Sequence, residues 1–257
     1  MQLKDNFMTP HVHVPFEKVM DHIDLIREHR FNLEIFFNAD TMDAMTGDDV
    51  RALKDALHYG PAVSFHAPFM DLSPGAADAR IRKVTIERFN EILDVAEQLN
   101  PVSIVFHSGY EKWKYALKID PWLQKSVETW KPVLDRAVGM GIKIAIENVF
   151  EDEPTNLMLL MEEMRSDSFG VCFDSGHFNL FSRIPLDEWI GMLKPYIIEL
   201  HLHDNDKTAD KHLPVGEGSF DFPALFGLIG DHDCIYTVEA HTPERALRSV
   251  RNLKNYL

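Results

Sequence analysis

The sequence predicts an α/β protein of one domain, a single (β/α)8 barrel, and three observations lead to this fold class. Short apolar runs rich in β-branched residues alternate with longer segments of helical periodicity, eight times along the chain. The apolar runs are continuous, as expected of parallel strands that are covered on both faces. The chain has 257 residues, the usual size of one such barrel. We therefore expect one domain over residues 1–257.

The predicted strands are short, and each is rich in Val, Ile or Phe, residues that suit a buried pleated surface. They are FMTPHVHV ending near Val14, NLEIFF at 32–37, AVSFHAPF at 62–69, VSIVFHSG at 102–109, KIAIENV at 143–149, FGVCFDSGH at 169–177, IIELHLHDN at 197–205 and CIYTVEAH at 234–241. Eight strands joined by helical crossovers imply a parallel sheet.

Helical segments are predicted between these strands and after the last one. They are Phe16 to about Arg30, Asp48 to Tyr59, Asp78 to Leu99, Pro121 to Met140, Asn156 to about Arg165, Leu186 to Leu193, Phe222 to Ile229 and Pro243 to Tyr256. Gly141 follows the fourth segment, where a glycine commonly ends a helix. The alternative fold is an open doubly wound sheet, but that fold would need a Gly-rich phosphate loop after the first strand, which the sequence lacks.

The charge of the chain narrows the class of partner. The formal net charge is −15, and so acidic a surface repels polyphosphates unless a basic patch or bound cations reverse the local field. The loop NADTMDAMTGDD after the second strand has none of the arginine or aromatic side chains that a DNA reader needs. We expect a small sugar-like substrate rather than nucleic acid. A homo-oligomer is compatible with the sequence, since such barrels often pair through their outer helices.

Cysteine usage and the N-terminus indicate a soluble, cytoplasmic protein. The two cysteines, Cys172 and Cys234, lie in apolar runs and form no Cys-x-x-Cys motif, so we interpret both as small buried core residues. The first residues contain no apolar run of signal-peptide length. No stretch approaches the roughly 18 apolar residues of a membrane span. No membrane partner is expected.

Side chains that bind metal ions end six consecutive predicted strands. From the third strand to the eighth these residues are His66, His107, Glu147, Asp174, His201 and Glu239, with His177 and His203 close behind. One such residue alone is more often a hydrogen-bonded polar group. The C-terminal ends of barrel strands, however, converge on one mouth, where active sites of this fold lie. Imidazole and carboxylate groups bind zinc, manganese, cobalt or iron, so the pattern predicts a metal site.

A second candidate feature follows the seventh strand, in the segment DNDKTADKHLPVGEG. Asp210 and His212 lie two residues apart in this predicted loop. A D-x-H pair is a weak signal by itself and is also typical of a solvated loop. Because this pair comes directly after a strand with predicted ligands, the loop could fold over the mouth and bind a further ion.

Taken together, these motifs resemble the superfamily that joins xylose isomerase-like sugar isomerases and epimerases to endonuclease IV, the zinc enzyme that cuts DNA at abasic sites. The likeness runs from His66 to Glu239 through H-A-P, F-H-S-G, I-E-N, D-S-G-H, H-L-H-D, D-K-H-L-P-x-G-E-G and V-E-A-H. It implies a (β/α)8 barrel and one divalent ion held by Glu147, Asp174, His201 and Glu239. His203 lies on the same side of its strand as His201, so which of the two is the ligand stays open.

The resemblance to endonuclease IV implies two further ion sites. His66 and His107, with Glu147 as a bridge, match one of them. His177, Asp210 and His212 match the other. The chain would then hold one to three divalent ions, with zinc, manganese, magnesium and cobalt as the candidates.

Two catalytic functions are compatible with these residues. In a sugar or sugar phosphate isomerase or epimerase, the ion would act as a Lewis acid while Glu147 and Glu239 move a proton between them. The remaining histidines would then position the substrate, with further contacts predicted at His203, Asn148 and Glu217. The alternative is a multi-metal phosphoesterase like endonuclease IV. A barrel that only binds sugar or stores metal is a third, non-enzymatic hypothesis.

Overall fold

The computed structural model describes residues 9–257, and these residues form a closed barrel of parallel strands. Each strand pairs with the next one along the chain, and the last pairs with the first through His11–Thr237 and Val12–Val238. The strands are β1 His11–Pro15, β2 Asn32–Phe36, β3 Val63–His66, β4 Ser103–His107, β5 Lys143–Glu147, β6 Phe169–Asp174, β7 Ile197–Leu202 and β8 Ile235–Val238. The predicted (β/α)8 barrel is confirmed. Residues 7 and 8 of the predicted first strand lie outside the described residues.

Helices cover the outside of the barrel. They are α1 Phe16–Val19, α2 Ile23–His29, α3 Ala39–Ala44, α4 Gly47–Ala56, α5 Ala79–Leu99, α6 Asp120–Gly139, α7 Thr155–Met164, α8 Ser175–Phe181, α9 Leu186–Leu193, α10 Phe222–Ile229 and α11 Pro243–Leu253. Every predicted helix after the first is present, with ends that differ by three residues or fewer. In residues 9–257, no helix combines the length and the apolarity that a membrane crossing requires.

Three local differences from the predicted elements have physical causes. The first helix is interrupted by a 3₁₀ turn at Met20–His22, because His22 has φ −114° and ψ 12°, outside the helical region. Helix α3 begins inside the predicted acidic loop, because the Asn38 side chain accepts a hydrogen bond from the Thr41 N–H and caps the helix. The predicted strand FGVCFDSGH ends at Asp174, whose Oδ1 caps α8 by accepting from the His177 N–H at 2.6 Å.

The main hydrophobic core lies between the helices and the outer face of the barrel. Trp122, Trp130 and Trp189 are fully buried there, and the Trp130 ring stacks on Phe89 with 4.8 Å between ring centroids. Cys172 and Cys234 are both buried and unpaired, as predicted. This outer core leaves the barrel interior free to carry polar groups.

The inside of the barrel below the mouth is largely polar. Glu199 is fully buried and accepts hydrogen bonds from Ser103 Oγ at 2.8 Å and from Thr237 Oγ1 at 2.5 Å. Burial, together with the nearby charge of Glu34, raises the pKa of Glu199 to about 8. Glu199 is therefore mostly protonated at neutral pH and adds little charge beneath the candidate site.

Candidate metal centre

The predicted ligands meet at the C-terminal mouth of the barrel. Strands β3, β4, β5 and β6 each end on one of them, and the strand register places His107 beside Glu147 and Asp174 beside His201. Neighbouring members of the set lie 2.9–3.8 Å apart from nitrogen to oxygen, which links the whole set into one network. That set is His66, His107, Glu147, Asp174, His177, His201, Asp210, His212 and Glu239.

At the middle of this network, one histidine nitrogen faces three carboxylates. His201 Nδ1 lies 3.6 Å from Glu147 Oε2, 3.8 Å from Asp174 Oδ2 and 3.3 Å from Glu239 Oε1. This nitrogen is buried and has no hydrogen-bond partner among the described residues. An unpaired buried polar atom costs about 1–3 kcal/mol, and a divalent cation would remove that cost while neutralising the carboxylates. The donor set therefore fits a divalent metal ion.

One flanking group of ligands belongs to β3, β4 and β5. Glu147 Oε2 lies 3.0 Å from His66 Nε2 and 3.4 Å from His107 Nε2, so this carboxylate is shared between the central group and the flanking one. The ring of Phe69 stacks on His107 with 4.0 Å between centroids and holds it against the mouth. These three side chains could bind a second cation.

The other flanking group combines α8 with the loop after β7. Asp210 Oδ2 lies 3.5 Å from His177 Nε2 and 3.1 Å from His212 Nε2. His203 Nδ1 is buried and lies 3.7 Å from Asp210 Oδ1, with no hydrogen-bond partner in residues 9–257. His203, Asp210 and His212 thus form a further candidate metal site. It was not predicted from the sequence that His203 belongs to the same group as Asp210 and His212.

Asp204, the last residue of the H-L-H-D motif, holds the loop that carries Asp210. Its side chain is fully buried and accepts hydrogen bonds from four backbone N–H groups. The donors belong to Asn205, Gly218, Ser219 and Phe220, at distances of 2.8–3.1 Å. Because these contacts join both ends of the loop, Asp204 fixes the position of Asp210 over the mouth. This role of Asp204 was not predicted from the sequence, although the motif contains the residue.

Two further residues of the centre were not predicted from the sequence. Glu34 of β2 is fully buried, and its Oε2 lies 3.0 Å from His201 Nε2. Its Oε1 lies 2.8 Å from His13 Nδ1, and the same nitrogen of His13 lies 3.2 Å from Glu239 Oε1. The signal in the sequence was a carboxylate inside the apolar run NLEIFF, where a buried charge needs a partner.

The electrostatics of the centre keep its carboxylates ionised. Burial alone would raise the pKa of Glu147, but the charges of His107 and His201 outweigh burial and hold this pKa well below its usual range. The pKa of Asp174 and the pKa of Glu239 are also lowered. Burial would raise both, but the charges of the neighbouring histidines outweigh burial. Histidines must be deprotonated to bind a metal, so cation binding would release protons from this network.

The predicted substrate contacts have other partners in the structure. The Asn148 amide donates to the Asp174 carbonyl oxygen at 3.0 Å and accepts from the Asp174 N–H at 2.8 Å. His203 Nε2 lies 3.0 Å from Asp174 Oδ2, below the cavity. Glu217 is exposed and pairs with Arg248 of α11 at 2.9 Å. None of the three is among the residues that line the cavity formed by the described residues, and a substrate contact at these positions stays a prediction.

A cavity of about 1040 Å³ lies over the centre. Glu147, His177 and Glu239 contribute to its floor, and Phe36 and Phe69 to an aromatic wall. Its volume is slightly above the range of about 300–1,000 Å³ that is usual for small-molecule sites. An apolar wall with a few convergent polar groups is typical of such sites.

The glycine of the D-S-G-H motif makes room for His203. A Cβ atom at Gly176 would overlap the His203 ring, so we expect Gly176→Ala to displace this ring and to lower the free energy of unfolding by about 1–3 kcal/mol. Urea unfolding would measure the change. Gly191→Ala is the matched control, because a Cβ there meets no atom within 4 Å and this glycine also lies in a helix, α9. Equal effects at both positions would contradict the steric role of Gly176.

Known proteins are similar to this chain over most of its length. The uncharacterized protein MJ1311 of Methanocaldococcus jannaschii is 29% identical over 210 residues, which are 77% of this chain and 71% of that protein. A D-tagatose 3-epimerase-like protein superposes with a TM-score of 0.81 at 25% identity, covering 96% of each chain. The TTHB071 protein of Thermus thermophilus, from crystals soaked with zinc chloride, has the same fold, with a TM-score of 0.81 at 24% identity over 96% of this chain and 98% of that one.

A family profile covers nearly the whole chain. This profile is described as a xylose isomerase-like TIM barrel, and it matches residues 4–256. The closed parallel barrel agrees with that description, and the family is the one to which the sequence motifs pointed. The chain therefore belongs to the xylose isomerase-like TIM barrel family.

Proposed function

We propose that this protein is a divalent-metal-dependent isomerase or epimerase that acts on a small sugar or sugar phosphate. The observation that carries the proposal is the buried, unpaired Nδ1 of His201, which faces the carboxylates of Glu147, Asp174 and Glu239 beneath a cavity. The similarity to a D-tagatose 3-epimerase-like protein over nearly the whole chain supports the same chemistry.

The side chains of the centre divide into binding and proton-transfer roles. Glu147, Asp174, His201 and Glu239 would hold the cation, which when bound supplies a Lewis acid for adjacent substrate oxygens. Glu147 is the last residue of β5 and Glu239 directly follows β8, and a carboxylate oxygen of each lies within 3.6 Å of His201 Nδ1. Both carboxylates are ionised, so either one can accept the proton from the substrate carbon. The other can return a proton to that carbon only after it has itself taken one up, from water or from a substrate hydroxyl group.

The cavity suits a small polar substrate with one less polar face. Imidazole groups of His66, His107, His177 and His212 line it and offer ring nitrogens to hydroxyl groups. The aromatic wall of Phe36 and Phe69 lies on the side of β2 and β3. This combination supports a sugar or a sugar phosphate as the substrate, held between the wall and the metal-binding floor.

A multi-metal phosphoesterase is the second candidate, and a separate observation favours it. The groups of possible ligands in the described residues include two that flank the central one, namely His66, His107 and Glu147, and His203, Asp210 and His212. Clustered cations at such groups clamp phosphate oxygens and lower the pKa of a bridging water. Their presence makes a direct comparison of the two chemistries necessary.

One experiment compares the two functions on the same preparation. The metal-loaded protein is incubated in D₂O with a panel of ketoses and ketose phosphates, and in parallel with DNA that carries an abasic site. Deuterium at a substrate carbon, measured by mass spectrometry and absent after chelation, is the expected result. DNA strand cleavage without deuterium uptake would contradict the isomerase proposal, and elemental analysis of metal per chain would show how many groups are filled.

The loop ligands provide a mutational test of the same question. For the proposed isomerase, we expect Asp210→Asn combined with His212→Ala to slow deuterium exchange by less than about tenfold, a smaller loss than removal of a direct metal partner usually causes. A three-metal hydrolase would instead lose at least about a hundredfold, because one of its cations would no longer clamp the phosphate. A hundredfold loss of deuterium exchange would show that the loop ligands serve the isomerase reaction as well.

A further inference from the structure

Glu34 is a buried carboxylate that takes no part in the proposed proton transfer. It lies on β2, a strand that supplies none of the predicted ligands, and its side chain has no exposed surface. Both of its oxygens contact histidines, His201 Nε2 at 3.0 Å and His13 Nδ1 at 2.8 Å. A buried charge with two such specific contacts needs an explanation beyond packing.

The contact with His201 selects one tautomer of that ring. A carboxylate only accepts hydrogen bonds, so His201 Nε2 is the donor towards Glu34. In the neutral ring, the lone pair then lies on Nδ1, the nitrogen that faces Glu147, Asp174 and Glu239. Without Glu34, the proton could lie on either nitrogen and the ring could rotate. With Glu34, the unpaired nitrogen is aimed at the place where a cation would bind.

His203 differs from His201 in this respect. Its Nε2 is 3.0 Å from Asp174 Oδ2, so the nitrogen on the side of the central carboxylates is already engaged by one of them. Its Nδ1 faces Asp210 instead, at 3.7 Å. Of these two histidines, only His201 has one nitrogen bonded to a carboxylate outside the central group and an unpaired nitrogen that faces the central carboxylates. Glu34 therefore distinguishes the two histidines that the sequence could not separate.

His13 holds Glu34 in place and connects it to a catalytic carboxylate. His13 Nδ1 lies 2.8 Å from Glu34 Oε1 and 3.2 Å from Glu239 Oε1. The His13 ring therefore connects Glu34, which contacts the Nε2 side of His201, to Glu239, which faces the Nδ1 side. We infer that Glu34, held by His13, is a positioning residue that fixes the tautomer and orientation of His201 and so makes it the histidine ligand of the central cation. This inference rests on the proposed metal-dependent function.

Zinc affinity, measured by calorimetric titration, tests this inference without a substrate. Glu34→Gln should weaken zinc binding by about 10–100-fold, because the amide is uncharged and no longer enforces the Nδ1 lone pair. Glu34→Asp, which keeps the charge, should bind zinc more tightly than Glu34→Gln. The matched control is Glu151→Gln, since Glu151 is also a buried carboxylate but accepts hydrogen bonds from Ser108 and Asn156. This control should bind zinc as the wild type does.

A spectroscopic measurement separates positioning from simple stabilisation of the fold. In the cobalt-loaded wild type, the His201 Nε2–H should give a hyperfine-shifted NMR signal that exchanges slowly with solvent, because Glu34 accepts its hydrogen bond. If Glu34→Gln binds zinc as tightly as the wild type, or if the wild-type N–H exchanges rapidly, the inference is overturned. The exchange rate of the His201 N–H is measured on the wild type, so this criterion does not depend on whether a variant folds. Failure of the wild type itself to bind zinc would overturn the proposed function instead.

Discussion

Replacing Glu147 or Glu239 by glutamine is expected to lower the rate of substrate deuterium exchange by about 10²–10⁴-fold, the usual contribution of a general acid or base. Glutamine has the same size as glutamate but neither accepts nor returns a proton at neutral pH. Both side chains lie at the mouth and not in the outer core, so no cavity opens and the barrel should stay folded. Exchange rates at saturating metal, together with circular dichroism, measure the two effects separately.

The control for this prediction must also remove a buried carboxylate from the barrel. Glu199→Gln does so below the centre, where the pKa raised to about 8 means that the wild-type side chain is already mostly neutral. We expect this variant to keep a rate near that of the wild type. A near-normal rate in Glu147→Gln or Glu239→Gln would show that the acid–base assignment is wrong. An equal loss in Glu199→Gln would show that any buried substitution in the barrel stops the reaction.

The fold and the ligand set could be predicted because both follow from local pattern. Continuous apolar runs mark buried parallel strands, and polar residues at the C-terminal ends of such runs lie around the shared mouth. His66, His107, Glu147 and Asp174 are the last residues of β3 to β6. Their convergence therefore needs only the order of the strands, and the closed barrel supplies that order.

The supporting contacts could not be predicted, because they depend on barrel closure and backbone geometry. Glu34 and His201 are 167 residues apart in the chain, and each looks like an ordinary polar residue within a strand. Asn148 follows a predicted catalytic residue, but its amide is engaged by the backbone of β6, which no sequence pattern shows. Capping rules could have found the helix at D-S-G-H, since Asp174 has the position of a helix N-cap.

Zinc binding is expected to raise the thermal unfolding midpoint of this protein by roughly 8–16 °C. Zinc at about a thousand times its Kd stabilises the folded state by about 4 kcal/mol. For a chain of this size, each kcal/mol raises the midpoint by about 2–4 °C. The folded chain holds three carboxylates and the unpaired His201 Nδ1 within 3.8 Å, whereas the unfolded chain has no assembled site. Calorimetric scans with zinc and with a chelator measure the difference.

Two variants identify the group of ligands that causes this stabilisation. His201→Ala removes the only nitrogen that faces all three central carboxylates within the described residues, so most of the zinc-dependent rise should disappear. Asp210→Asn with His212→Ala leaves those four groups intact, so most of the rise should remain. If His201→Ala gained as much stability from zinc as the wild type, the main zinc site would lie elsewhere. In that case no cation would lie beside Glu147 and Glu239, and their proposed proton-transfer roles would be wrong.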